Sequence, residues 1–410
     1  MRNHVVDLLR SLVGFDTTSA KPNMALIEFI VARLRHAGIP SCLVGNVDGG
    51  KASLLATIGP PVPGGIVLSG HTDVVPVTGQ DWQSDPFHLT ERDGRLHGRG
   101  AADMKSFIAV VLAMVPLFKA RRLRVPVHLA FSYDEEVGCL AAPALIARMQ
   151  RDLPKPALAI IGEPSEMSLA NAHRGISTFV TTVSGRPGHA GAPWEGVNAI
   201  ACAAECITFL SRLAGDAGAA GANSAAPSAR PPSAAVKDDG SAAPATIPTT
   251  INVGTIAGGE AVNIIAEHCH FAWECRPAAG DEAEDVRARL QAYAETVLLP
   301  VMQRRAPGAA IVSEVKVAVP PLSPQHGSDA ARAALGLAGR HACTTVPFAS
   351  EAGLFQRAGI PAFVCGPGSF LQAHQPDEFV TLAQIDACIR FMERVADWAE
   401  HGSLPPAPCK

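Results

Sequence analysis

The chain carries two hydrophobic periods in alternation, and a change in their order divides it. Over about residues 3–13 and 23–37, apolar positions recur three and four apart, the spacing of two amphipathic helices. The continuous apolar run Gly65-Ile66-Val67-Leu68-Ser69 follows and reads as a buried strand that ends at His71. Residue 105 to about 117 then reads as a buried helix, 125–132 as a strand, about 141–150 as a helix and 157–161 as a strand. Strands alternating with helices predict an α/β fold whose mostly parallel sheet is covered by helices on both faces.

From about Ser177 the order changes. A strand (178–183), a helix (about 195–213), two strands (249–255 and 268–275), a helix (about 281–298) and a strand (310–319) form a βαββαβ unit. This predicts an inserted α+β domain over 178–319, with 1–177 and 320–410 making the main domain. Within the insert, 214–245 is rich in Ala, Gly, Ser and Pro and reads as a flexible surface loop without chemistry.

Composition narrows the function classes. A chain of 410 residues with net charge −4 gives no basic footprint for nucleic acid or an anionic membrane surface. The N-terminus runs into an amphipathic helix, and the longest apolar run, 107–118, falls short of the roughly 20 residues that span a bilayer. Ten scattered cysteines with no CxxC spacing read as unpaired thiols in a reducing compartment, so a cytoplasmic protein is expected.

Five segments place an acid or imidazole where an apolar strand gives way to a loop: Gly70-His71-Thr72-Asp73, Gly98-Arg99-Gly100-Ala101-Ala102-Asp103, Tyr133-Asp134-Glu135-Glu136, Gly162-Glu163-Pro164 and Gln372-Ala373-His374. Sites in such sheets collect beyond the carboxyl ends of the strands. Each segment alone has an ordinary reading. His71 and Asp73 suit a polar strand end, Asp103 a helix cap, Asp134-Glu135-Glu136 a solvated acidic run, Glu163 plain loop polarity, and His374 a loop imidazole. Their coincidence supports a second reading. An imidazole ligand commonly donates its other N–H to a carboxylate, which suits His71 with Asp73. A short carboxylate such as Asp103 can span ions ~3.5–4 Å apart. Crowded acids such as Glu135 and Glu136 need cationic charge to offset their repulsion. A carboxylate-rich set with one imidazole per ion suits Zn²⁺, Co²⁺ or Mn²⁺ better than Mg²⁺.

These motifs, in this order and over nearly the whole chain, resemble the co-catalytic dimetal peptidase and deacylase family, and within it the acetylornithine deacetylase group. The narrower likeness is carried by Gly79-Gln80-Asp81-Trp82-Gln83-Ser84-Asp85-Pro86-Phe87, by Ser132 to Cys139, and by Cys365-Gly366-Pro367-Gly368-Ser369 with Pro376-Asp377-Glu378. The resemblance implies that His71, Asp103 and Glu163 hold one divalent metal and Asp103, Glu136 and His374 a second, with Asp103 bridging. It makes Glu135 the general base, Asp73 the orienter of His71, and the Asp103–Met104 peptide cis. It also implies a dimerisation or lid role for the insert. His189 there stabilises the oxyanion in a partner subunit's site, while Asn263 and Arg276 bind the substrate carboxylate. Ala190-Gly191 and Ala266 depart from the family's usual residues at those places.

The expected activity is hydrolysis of an N-acyl amino acid amide, foremost N²-acetyl-L-ornithine to L-ornithine and acetate in arginine biosynthesis, by a Zn²⁺- or Co²⁺-loaded homodimer. A succinyl-diaminopimelate desuccinylase or a broad deacylase shares every metal residue. A small-peptide peptidase and a non-enzymatic binding protein on the same scaffold are the more distant alternatives.

Overall fold

The computed structural model describes residues 1–217 and 248–402. The chain divides into two compact units, Met1–His173 with Leu322–Lys410 and Arg174–Pro321, so the insert is a few residues wider than 178–319. The chain leaves the larger unit at His173 and returns at Leu322. These two residues pair, with His173 N donating to Leu322 O at 3.2 Å and Leu322 N to His173 O at 3.0 Å.

The larger unit is built on an eight-stranded sheet whose middle strands, in spatial order Val127–Ser132, Ile66–His71, Leu158–Pro164 and Ala362–Gly366, run parallel. An antiparallel pair, Ser41–Gly45 and Ala52–Ile58, extends one edge, and short strands Ala170–Ala172 and Thr344–Thr345 extend the other. Side chains alternate across the pleat: Ile66 and Leu68 enter one core and Val67 enters the other. Helices Arg2–Val13, Met24–His36, Lys105–Ala120 and Leu382–His401 cover the first face, and Ala142–Asp152 and Ala352–Arg357 cover the second. Burial on both faces explains why these strands read as continuous apolar runs.

Two differences from the sequence reading matter. The helix from Lys105 continues past Pro116 to Ala120, where a missing N–H costs only one bond near the helix end. A three-stranded ribbon, Phe379–Thr381, Arg95–His97 and Thr90–Arg92, is an addition that no strong periodicity announced. It joins the segment before Gly98 to the segment after Glu378.

The smaller unit is an antiparallel sheet in the order Thr250–Gly258, His268–Arg276, Ile176–Ser184, Ala310–Val319. Helices Ala199–Ala217 and Ala283–Tyr293 share a core with it that includes Phe179, Leu210, Phe271, Trp273 and Leu290. Phe179 and Trp273 stack with ring centroids 4.1 Å apart. The expected loop over 214–245 begins inside the first of these helices, and its remainder lies outside the described residues. No helix among the described residues is long and apolar enough to cross a membrane. The nine cysteines among them are all free.

Candidate metal centre

Every residue expected to bind metal lies in the larger unit, His71 and Glu163 within strands and the others in the loops between elements. His71 closes the strand Ile66–His71, and Glu163 is next to last in Leu158–Pro164. Glu135 and Glu136 follow Val127–Ser132 in a tight turn, where Cys139 N donates to Glu135 O at 2.9 Å. Asp103 ends the turn from Gly98, and its peptide bond to Met104 is cis, as the resemblance implied. His374 sits in the loop after Ala362–Gly366 with φ of 66°, a left-handed conformation unusual for a side-chain-bearing residue.

The structure draws these residues together around Asp103. Its Oδ1 is 2.9 Å from His71 Nε2 and its Oδ2 is 3.2 Å from His374 Nε2, so each oxygen faces a different imidazole. Glu163 Oε1 lies 3.9 Å from His71 Nε2, and Glu136 Oε2 lies 3.0 Å from His374 Nε2. Two clusters have ligand atoms all within 4.8 Å of one another: His71, Glu135 and Glu163, and His71, Asp103 and Glu136. The first therefore brings Glu135, expected as a base, in among the candidate ligands. The tautomer of His71 follows from its surroundings. Nδ1 faces only acceptors, the main-chain oxygen of Asp73 at 2.9 Å and its Oδ1 at 3.6 Å, so Nδ1 carries the hydrogen and Nε2 is directed inward.

The electrostatics calls for cations. Burial, then repulsion from Asp103 and other acids, raises the carboxyl groups of Glu163 and Glu136 above their usual range. Glu135 is also raised well above it by burial, although His71 pulls the other way. Burial would raise Asp103 too, but His374 and His71 outweigh it and leave Asp103 low. Contacts with Asp103 and Glu136 carry His374 up to about 10. Glu136 Oε1 and Glu163 Oε1 are buried without a hydrogen-bond partner among the described residues. Unpaired buried carboxylate oxygens beside two imidazoles fit a divalent cation site. Because a ligating imidazole must be neutral, an ion at such a site binds more weakly as pH falls.

Sequence reasoning missed much of the support. The Asp73 carboxylate does more than face His71: Oδ1 accepts from Glu135 N at 3.1 Å, and Oδ2 from Glu136 N at 3.2 Å and Ser19 Oγ at 2.7 Å. Glu378 Oε1 accepts from Ala102 N at 2.8 Å and Asp103 N at 3.0 Å, and its Oε2 pairs with Arg99 Nη1 at 2.6 Å. Glu351 is fully buried near the centre, held by Ser69 Oγ at 3.3 Å. Such partners lie tens to hundreds of residues apart, and no spacing rule reveals them.

The remaining expected residues lie in the smaller unit. His189 and Asn263 are exposed on adjoining segments, tied by Ala190 N donating to Asn263 O at 3.0 Å and by a bridge between His189 and Ile264. Arg276 ends the strand His268–Arg276, and its Nε donates to Glu274 Oε1 at 2.6 Å.

A doubly covered α/β sheet with acids and imidazoles gathered at its strand ends, and an antiparallel unit inserted into it, defines a metal-dependent hydrolase. The family description that fits is peptidase family M20/M25/M40, matched over residues 67–398, and the chain belongs to that family. It is 32% identical over 406 residues to an acetylornithine deacetylase of Photorhabdus laumondii, covering 96% of each chain. Among solved structures it resembles an aminopeptidase from Bacillus cereus, with TM-score 0.71 and 19% identity, covering 98% of this chain and 99% of that one. A dinuclear metal-binding peptidase of the M20 family from Bacillus subtilis gives TM-score 0.63 and 15% identity, covering 96% and 97%.

Proposed function

We propose that the chain hydrolyses the amide bond of N-acyl amino acids, with N²-acetyl-L-ornithine the preferred substrate, releasing L-ornithine and acetate for arginine biosynthesis. The observation that carries the reading is Asp103 with one oxygen toward each imidazole, the arrangement a bridging carboxylate needs. The full-length likeness to an acetylornithine deacetylase supports the substrate choice. His71, Asp103 and Glu163 would hold one divalent ion and Asp103, Glu136 and His374 the other, Zn²⁺ or Co²⁺ in each case.

When bound, such ions supply Lewis acidity, polarising the acyl carbonyl and lowering the pKa of water. Glu135 takes the proton from the attacking water and returns it to the departing amine nitrogen. Asp73 keeps Glu135 in place through the main-chain amides of the Glu135–Glu136 turn. In a homodimer joined through the smaller unit, His189 donates a hydrogen bond to the oxyanion in the site of the second copy. Asn263 and Arg276 bind the substrate carboxylate, a role for which guanidinium geometry is suited. The nine free thiols support a cytoplasmic setting.

The test is a panel of N²-acetyl-L-ornithine, N-succinyl-diaminopimelate, N-acetylmethionine and a dipeptide, with zinc- and cobalt-loaded protein. The expected result is the highest kcat/KM for N²-acetyl-L-ornithine. A higher value for the succinylated substrate or for the dipeptide would overturn the substrate assignment and keep the hydrolase.

A further inference from the structure

The two segments that bring Asp103 and His374 together are joined by a buried polar network. Arg99 and Glu378 are each about 1% exposed, and their ion pair is 2.6 Å long. From this pair the network reaches both sides of the centre. On one side Glu378 Oε1 accepts from the main-chain N–H groups of Ala102 and Asp103. On the other, Arg99 Nη1 donates to Gln375 O at 3.3 Å, and Arg99 Nη2 bonds to Gln80 Oε1. Gln80 Nε2 in turn donates to His374 O at 2.8 Å, and Trp82 Nε1 donates to Gln80 Oε1 at 3.1 Å. The Arg99 guanidinium also lies over the Trp82 ring, 5.1 Å from its centroid. Gly98 N donating to Glu378 O at 2.9 Å closes the backbone side.

This wiring has a directional content. His374 is half-exposed and in a left-handed conformation, so its own packing does not fix it. Its main-chain oxygen is held by Gln80, whose amide is oriented in turn by Arg99 and Trp82. Asp103 is held through its amide by the carboxylate that Arg99 neutralises. One guanidinium therefore sets the positions of residues on both sides of the Asp103–His374 gap.

We propose that Arg99, Glu378 and Gln80 are positioning residues that set the separation of Asp103 and His374, and with it the affinity of the ion held by Asp103, Glu136 and His374. The inference rests on the metal-ligand reading above. Groups that orient ligands from behind typically contribute ~10–100-fold in metal affinity.

The experiment measures zinc stoichiometry and stepwise affinity by chelator competition, and the visible spectrum of the cobalt-loaded protein, for wild type, Gln80→Ala and Glu378→Gln. Gln80 is only partly buried, so Gln80→Ala is expected to fold; Glu378→Gln leaves Arg99 buried without its counter-charge and has the greater risk to folding. Wild type is expected to bind two ions. Gln80→Ala is expected to weaken one ion about 10-fold or more while the other changes by less than about 3-fold, with a shifted cobalt band. Glu378→Gln, where folded, is expected to weaken both, because Asp103 faces both ions. Two ions bound by Gln80→Ala with wild-type affinities and an unchanged cobalt spectrum would overturn the positioning role alone. Fewer than two ions in wild type would overturn the ligand reading itself, and the positioning role with it.

Discussion

Glu135 occupies a position that two roles compete for. It lies within ligand distance of His71 and Glu163, yet burial holds its carboxyl well above the usual range, which suits a group that exchanges a proton. Glu135→Gln separates them. As the general base, its loss should leave two ions bound and lower kcat by about 10²–10⁴-fold. Loss of an ion in elemental analysis, with activity restored by added metal, would make it a ligand instead. Among single residues, the sequence singled out His71, Glu136 and Glu163 because each ends or follows a recognisable apolar strand, and Asp103 in its glycine-rich turn and His374 in its loop only through the order of the motifs. Ser19, Arg99 and Glu351 were not, since their chemistry depends on partners 54, 279 and 282 residues away.

Among the elements, strand ends were the readable feature and close packing was not. The strand Leu158–Pro164 was visible as an apolar run, but the need for glycine at Gly162 was not. A Cβ there would enter the ring of Phe107, which is fully buried on the helix that follows Asp103. Gly162→Ala should therefore cost about 1–3 kcal/mol in denaturant unfolding, because neither the sheet nor the ring has room to shift. A variant as stable as wild type would show that the ring can swing aside. The pair Ser41–Gly45 and Ala52–Ile58 escaped the sequence reading for a different reason. The first strand is half-exposed, and the second is a short run of mixed small and apolar residues that periodicity cannot separate from a helix. The ribbon linking Arg95–His97 to Phe379–Thr381 was hidden because three-residue strands carry almost no period.

For the whole molecule, the division into a metal-binding unit and an inserted one makes stability depend on ligand. Two ions that bind only the folded larger unit each stabilise it by about 2.7 kcal/mol at free metal 100-fold above Kd. Calorimetry of the chelated protein should show a transition lowered by about 10–20 °C, at about 2–4 °C per kcal/mol for a unit of this size. Identical melting with and without chelator would show that the folded unit holds no tightly bound ion. The meeting of His173 and Leu322 has a consequence of another kind. The insert departs and comes back through one gateway of two paired residues, so its removal or exchange would leave the host's strands with ends already adjacent. The host chain could thus close at this pair if the insert were replaced, without displacing the strands that carry His71 and Glu163.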